Sequence, residues 1–170
     1  MTGNNTDTCY IGIDPGWQSF GICVRKPGEE ALVRSYVPNK YPSLEKFVGD
    51  LSNELLLPSL NTCVGTVATI ERFVPYGNVQ SSAGEDTLMV IGAFRYYLGS
   101  AGAKVNLTRA IDWKQKLCKY LVKSQGFSNP SASFDKKFSL AAAKALLGRS
   151  LTSDHEADAV CLSFFGEIIK

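Results

Sequence analysis

The sequence contains no long hydrophobic run: no window reaches about 18 uninterrupted apolar residues, the length typical of a transmembrane helix. The polar beginning "MTGNNTDT" also lacks the order of basic and then apolar residues that marks a secretory signal. We therefore expect a cytoplasmic protein that does not enter a membrane. With 170 residues, 45% of them hydrophobic, the chain can bury one full core, which predicts a single domain over residues 1–170.

Cysteine is present without the groupings that would give it a metal-binding or redox role. The five cysteines are scattered, with no C-x-x-C pair and no zinc-like cluster, so we expect reduced core thiols. His155 is the only histidine. The sequence also shows no internal repeat and no low-complexity tract.

The charge of the chain is small in total but unevenly distributed. Residues 1–103 carry 7 Lys/Arg and 10 Asp/Glu, residues 104–149 carry 10 and 2, and residues 150–170 carry 1 and 4. A basic middle block between two acidic segments is typical of a protein that binds a polyanion near an acidic, metal-binding centre. A solvated, lysine-rich helix face is the structural alternative.

The order of predicted elements indicates an α/β fold. Three short β-rich segments, 9–14, 20–25 and 31–37, are joined by tight turns and predict an antiparallel meander. The elements expected after them are a helix from Ser43 to Pro58, a strand ending at Glu71, a turn-rich loop, a helix over 86–101, the strand "KVNLT", and helices near 109–123, 137–147 and after Ser153. We therefore predict a mixed five-stranded sheet, with its first three strands antiparallel and helices on both faces.

The helix over 86–101 is apolar on nearly every side. A single contact with the sheet would cover only one stripe of such a helix. We therefore expect part of its surface to meet a second subunit.

Three acidic residues stand at the ends of predicted elements. Asp14 ends the first strand, Glu71 ends the fourth, and Asp158 lies in the first turns of the last helix. Strand ends of an α/β sheet open a crevice where active groups gather, so these carboxylates are expected to meet. Clustered carboxylates stay ionised only around a cation, and oxygen ligands without Cys favour Mg²⁺ or Mn²⁺. Two such ions activate water and stabilise the leaving oxygen of a phosphodiester, which predicts a nuclease.

Each member of this cluster also has a structural interpretation. Asp14 could form a turn, and Glu71 could be a solvated strand end. His155 shares a helical face with Asp158, so it could ligate a metal, transfer a proton or only belong to the capping region. Asp154 suits the helix macrodipole and is a reserve ligand.

These motifs resemble those of the RuvC family of Holliday junction resolvases, within the RNase H-like superfamily. "IGIDPGWQSFGICV" is similar to the family's first motif, IxGIDPGxxxxGxxV; "ATIERFVPYGN" is similar to the second; and "HEADAVCLSFF" is similar to the last, a (D/H)xxDAxAxA helix. The stretch "AIDWKQKLCK" is similar to the basic segment that contacts DNA in relatives. The resemblance implies a four-ligand catalytic and metal site at Asp14, Glu71, His155 and Asp158, with two Mg²⁺ or Mn²⁺ ions.

The resemblance further implies a homodimer that nicks opposed strands of branched DNA and leaves 5′-phosphate ends, without a small-molecule cofactor. Phe73 and Tyr76 are expected either to stack on bases near the crossover or to anchor their loop in the core. Four lysines of the basic helix are predicted to neutralise DNA phosphates: Lys114, Lys116, Lys119 and Lys123.

The chain departs from the family pattern in three places. The first ligand of the last motif is His155, where many relatives carry Asp and some carry His. Residues 118–138 are longer than in compact bacterial forms, and the distal glycine of the family's KxxLxG stretch is missing. The second and third departures favour a bacteriophage- or virus-encoded member.

Other functions fit parts of the same sequence. An RNase H-like nuclease could act on RNA–DNA hybrids or debranch DNA generally, and a non-catalytic DNA-binding dimer would also use the basic block. An actin-like ATPase opens with a similar D-x-G turn, but the chain is too short for two such domains and shows no second phosphate loop. The metal-dependent, structure-selective endonuclease is the leading hypothesis.

Overall fold

The sheet has five strands in the computed structural model, which describes residues 8–26, 28–74, 82–131 and 133–169. The strands are β1 (Thr8–Asp14), β2 (Phe20–Arg25), β3 (Leu32–Tyr36), β4 (Gly65–Glu71) and β5 (Lys104–Thr108). Their order across the sheet is β3-β2-β1-β4-β5. β1, β2 and β3 pair antiparallel, whereas β4 pairs parallel to β1 and β5 parallel to β4. The predicted mixed sheet is confirmed.

Six α-helices are found among the described residues: α1 (Leu44–Leu51), α2 (Leu57–Leu60), α3 (Ser82–Ser100), α4 (Ala110–Gln125), α5 (Lys136–Leu147) and α6 (Asp154–Ile168). Ser43 and Ser153 cap α1 and α6, because each hydroxyl accepts a hydrogen bond from the backbone N–H three residues later. Gly148 ends α5 in the left-handed conformation, with φ of 71°. In the part of the chain described, no helix is both long and apolar enough to cross a membrane.

The helical segment after β3 does not end at Pro58, so that prediction was wrong. A π-helical turn over Ser52–Leu56 joins α1 to α2, and the Leu57 N–H donates to the Ser52 carbonyl. Pro58 lies in the first turn of α2, directly after this π-helical turn, so its missing N–H falls where the regular i→i−4 hydrogen bonding is already interrupted. The helical segment therefore continues to Leu60.

Helices cover both faces of the sheet, as predicted. On one face, Ile11 and Phe20 belong to a buried cluster with α1 and with Phe94 of α3. On the opposite face, Cys23 and Val33 belong to a second cluster with α4, α5 and α6. Burial on both sides explains why β1 is apolar at consecutive positions rather than at alternate ones.

α6 lies directly on the backbone of β1 and β2 because two glycines face it. A Cβ atom on Gly12 would overlap the carbonyl oxygen of Ala159, and one on Gly21 would overlap the carbonyl oxygen of His155. Any larger residue at either position would push the helix away from the sheet. The two glycines therefore set how deeply α6 carries His155 and Asp158 towards the strand ends.

Candidate active site

Asp14 and Glu71 lie side by side at one edge of the sheet. β1 and β4 run parallel with Ile13 opposite Ile70, so the residue that follows each of them reaches the same edge. Glu71 also pairs with Thr108 at the end of β5. α6, which packs on one face of the sheet, contributes His155 and Asp158. The structure thus brings the four predicted site residues together in the expected crevice.

His155 is held between Asp14 and a serine. Its Nδ1 lies 2.6 Å from Asp14 Oδ2, and its Nε2 lies 2.7 Å from Ser19 Oγ. Because a carboxylate only accepts hydrogen bonds, Nδ1 carries a proton; Nε2 accepts from the Ser19 hydroxyl when the ring is neutral and donates to it when the ring is protonated. The hydrogen bond to Asp14 raises the pKa of His155 above its ordinary value, although partial burial opposes the shift. The contact fixes the orientation of the imidazole.

Glu71 is held by the indole of Trp113, whose Nε1–H donates to Glu71 Oε2 at 2.8 Å. Burial, followed by the negative charge of Asp14, raises the pKa of Glu71 to about 7, against the opposing effect of the Trp113 hydrogen bond. The Asp158 charge raises it further. Glu71 therefore holds a proton well above the pH at which a solvated glutamate loses it.

Asp158 is paired with a buried lysine. Lys114 Nζ lies 3.3 Å from each Asp158 carboxylate oxygen and 5.0 Å from the centre of the Trp113 ring. Burial raises the pKa of Asp158, whereas the Lys114 charge acts in the opposite direction. Lys114 had been predicted to reach DNA phosphates with the other lysines of the basic helix. The structure places it inside the acidic cluster instead.

The remaining predicted lysines lie on the exposed face of α4: Lys116, Lys119 and Lys123. Phe73 is partly buried and packs against the core cluster that contains β1 and α3. Tyr76 lies outside the described residues. Asp154, the reserve ligand, forms an ion pair with Lys136, and its Oδ1 lies 4.0 Å from His155 Nε2.

Ser19 and Trp113 are site residues that the sequence did not identify as such. Trp113 falls on the apolar stripe of α4 with Leu117 and Leu121, and a core role explains that spacing fully. Ser19 lies in the turn between β1 and β2, and only the antiparallel pairing of those strands brings it back to His155.

The side chains that meet at this site are of the types that bind a hard divalent cation. Three carboxylates and one imidazole converge, and Asp158 Oδ1 is buried without accepting a hydrogen bond. Within the described ranges, no three His, Cys, Asp or Glu side chains are arranged to hold a metal ion. Each carboxylate faces a nitrogen partner instead: His155 for Asp14, Trp113 for Glu71 and Lys114 for Asp158. A cation would replace these nitrogen partners, of which only Lys114 carries a permanent positive charge.

The raised pKa of Glu71 gives a prediction about stability in the absence of metal. Because the folded state holds this proton more tightly than the unfolded state, the free energy of unfolding should fall as pH rises from 4.5 to about 7. The full effect is on the order of 3 kcal/mol. Glu71→Gln removes this titration while keeping an oxygen that accepts from Trp113, so its unfolding free energy should vary less with pH. Urea unfolding of both proteins in EDTA measures the difference.

The exposed Glu54→Gln is the matched control and should keep the wild-type pH dependence. The raised pKa of His155 acts in the same direction, but only above its ordinary value of 6.5. A Glu71→Gln protein with the wild-type slope between pH 4.5 and 6.5 would show that Glu71 titrates normally.

Comparison with known proteins gives matches only at the level of structure. No protein-family model matches the sequence, and no curated protein sequence matches it. The structure of T. thermophilus RuvC in complex with Holliday junction substrate matches with a TM-score of 0.63 and 19% sequence identity, over 92% of this chain and 91% of that one. A second Thermus thermophilus RuvC structure matches with a TM-score of 0.60 and 19% identity, over 92% of both chains.

The fold is that of RuvC. The likeness covers the mixed five-stranded sheet and its helices, which is the RNase H-like α/β architecture predicted from the sequence. In this RuvC fold, the carboxylate cluster lies where β1 and β4 end and α6 begins.

Proposed function

We propose that the chain is a divalent-metal-dependent endonuclease that resolves Holliday junctions or other branched DNA by paired nicks. The observation that carries this proposal is the convergence of three carboxylates, Asp14, Glu71 and Asp158, at one crevice of a RuvC fold. One structure with this fold holds a Holliday junction substrate, which favours branched DNA as the substrate here.

The proposed roles follow from the contacts of each side chain. Asp14, Glu71 and Asp158 would hold two Mg²⁺ or Mn²⁺ ions, with His155 either as a fourth ligand or as a group that moves a proton at Nδ1 or Nε2. Metal ions held by these side chains would supply an activated water and would stabilise the leaving oxygen of the phosphodiester. Trp113 orients Glu71. Hydrolysis leaves 5′-phosphate ends.

A substrate panel tests the proposal. A four-way junction, a replication fork, a linear duplex and an RNA–DNA hybrid are incubated with the protein and Mg²⁺ or Mn²⁺, and cuts are mapped on every strand. We expect symmetric cuts on opposed strands of the junction, ligatable ends, and no cleavage in EDTA. Cleavage of the hybrid alone would assign the chain to the RNase H-like alternative.

We further propose that the nuclease is a homodimer formed through α3. Large side chains of this helix are exposed, with Tyr96 79%, Met89 58% and Leu88 50% accessible. Gly92 and Gly99 adjoin Tyr96 and leave an open groove of about 530 Å³. A two-fold dimer would place two active sites symmetrically on a two-fold symmetric junction.

Tyr96→Glu is expected to shift the protein from dimer to monomer, because a charge in an apolar interface is costly to bury. Sedimentation velocity measures the change. The melting temperature should stay close to that of the wild type, since Tyr96 is largely exposed. Val64→Glu, at a side chain 88% exposed outside α3, is the matched control. Dimers that persist in Tyr96→Glu would place the interface elsewhere.

Paired cutting gives a second measurement for the same variant. Monomers should nick single strands of the junction but lose the nearly simultaneous nick on the opposed strand.

We also propose that the chain is one nuclease domain over residues 1–170, encoded by a bacteriophage or virus and active in the cytoplasm of the host cell. The family departures at residues 118–138 support that source.

A further inference from the structure

Two adjoining cavities lie on the outward face of α4, outside the carboxylate cluster but beginning beside it at Arg72. The first is a cleft of about 420 Å³ beside the ends of β4 and β5. Four cationic side chains line it: Arg72, Arg109, Lys116 and Lys119. The second is a recess of about 290 Å³ whose exposed surface is almost wholly apolar; Cys118, Val122 and Phe134 form it, and Gln115, Lys119 and Lys123 border it. Lys119 belongs to both cavities, so they form one continuous track.

The cleft has an excess of positive charge. Arg109 is neutralised by Asp112, with contacts of 2.7 and 3.0 Å between guanidinium nitrogens and carboxylate oxygens. Among the described residues, no ion pair neutralises Arg72, Lys116 or Lys119. Such a group of free cations in a concave surface attracts an anion, and a phosphate group is the anion that a DNA-binding protein meets.

The track begins next to the acidic cluster. Arg72 directly follows Glu71, and its backbone N–H bonds to the Thr108 carbonyl at the end of β5. α4 separates the two regions by its two faces, because Lys114 points into the cluster while Lys116 lies on the exposed side. From Lys116 to Lys123 the helix advances about 10 Å. A strand bound at the cluster can therefore continue along this helix.

The recess contains a firmly held aromatic ring. Phe134 packs edge-on against the fully buried Phe138, with ring centres 5.1 Å apart and planes at 89°. Val122 stays 51% exposed across the recess from it. An apolar hollow with an aromatic wall and lysines at its rim suits a flat, apolar-faced group that is attached to phosphates. A nucleobase is such a group.

We propose that this track binds one unpaired nucleotide of the DNA substrate, with its phosphate in the cationic cleft and its base in the apolar recess. The proposal rests on the proposed function and adds a second feature that the nuclease recognises. Paired bases are stacked on both faces, so only a base that has left the helix can enter the recess. The scarcity of polar groups in the lining predicts that all four bases bind about equally.

The test compares the binding of two probes in EDTA, where cleavage does not occur. One probe is a fully paired four-way junction, and the other is the same junction with one unpaired 2-aminopurine nucleotide at the crossover. We expect the wild type to bind the second probe about tenfold more tightly, with quenching of the 2-aminopurine fluorescence by stacking. Val122→Glu should bring the ratio of the two affinities close to one.

Two further variants separate loss of the recess from other effects. Phe134→Leu keeps an apolar contact with Phe138 but removes the stacking surface, so it should lower the ratio without unfolding the protein. Tyr120→Glu places the same charge on α4 outside the recess, where the side chain is 43% exposed. It should weaken both complexes equally and keep the ratio.

A wild-type ratio of one, or a ratio that is unchanged in both Val122→Glu and Phe134→Leu, would overturn the proposal. So would a change in self-association by Val122→Glu with no change in the ratio, because the recess would then be a protein contact. A chain that cleaves junctions but shows a ratio of one refutes only this inference. A chain that binds neither probe refutes the proposed function as well.

Discussion

Asp14→Asn is expected to lower the rate of four-way junction cleavage by about a thousandfold or more while leaving junction binding in place. The side chain is only 14% exposed and contacts His155 directly. Water molecules therefore have little access to the position of the carboxylate and cannot replace its negative charge. Asparagine has nearly the same shape and keeps an oxygen that accepts from Nδ1 of His155. The substitution therefore removes a negative charge, and with it one of the proposed metal ligands, with little change in packing. Single-turnover cleavage and binding in EDTA measure the two properties separately.

Asp50→Asn is the matched control for this variant. Asp50 lies on α1 with a side chain 41% exposed and an ion pair to Lys46, which is a pair of little energetic consequence at a surface. The Asp50→Asn protein should cleave at the wild-type rate. Cleavage by Asp14→Asn at a similar rate would remove Asp14 from the catalytic assignment. Loss of both binding and the folded state would instead mean that Asp14 holds the fold.

Gly12→Ala is expected to destabilise the protein by about 3 kcal/mol or to prevent folding, an effect at the upper end for overpacked positions. The added methyl group would overlap the Ala159 carbonyl oxygen and crowd the Ser163 backbone nitrogen. Both contacts are with helix backbone, so no side chain can rotate to make room. Chemical denaturation measures the loss. Any folded fraction should cleave poorly, because α6 carries His155 and Asp158.

Gly49→Ala makes the same chemical change where there is space. Gly49 lies inside α1, and a Cβ atom there meets no other atom within 4 Å. The variant should be more stable than the wild type by up to about 1 kcal/mol, because alanine favours helix over glycine. Equal stability of the two glycine variants would show that α6 can shift on the sheet without cost.

The strands of the sheet could be predicted from the sequence because the residues within and next to each strand indicate where it lies. β2 and β5 match their predicted bounds, since turns and charged residues border short β-rich runs. Asp14 and Glu71 could be placed together because strand ends are readable and parallel neighbours end at one edge. The helical segment of α1 and α2 was cut short in the prediction, because a π-helical turn has no recognisable sequence pattern.

The partners of the acidic residues could not be predicted, since they depend on long-range packing. Trp113 and Lys114 are separated from their carboxylate partners by 42 and 44 positions, and Ser19 from His155 by 136. Periodicity assigned Trp113 to the core and gave Lys114 to the basic face. The packing of α4 on α6 determines which side of α4 faces the cluster, and no local sequence pattern indicates that packing.

The ammonium of Lys114 and the imidazole of His155 have a consequence for how the chain is made and used in a cell. Zinc fingers gain their folded state only on binding metal, because their ligands have no other partners. Here the carboxylates already face N–H donors supplied by the same chain. Newly synthesised protein can therefore fold and stay folded without binding divalent ions.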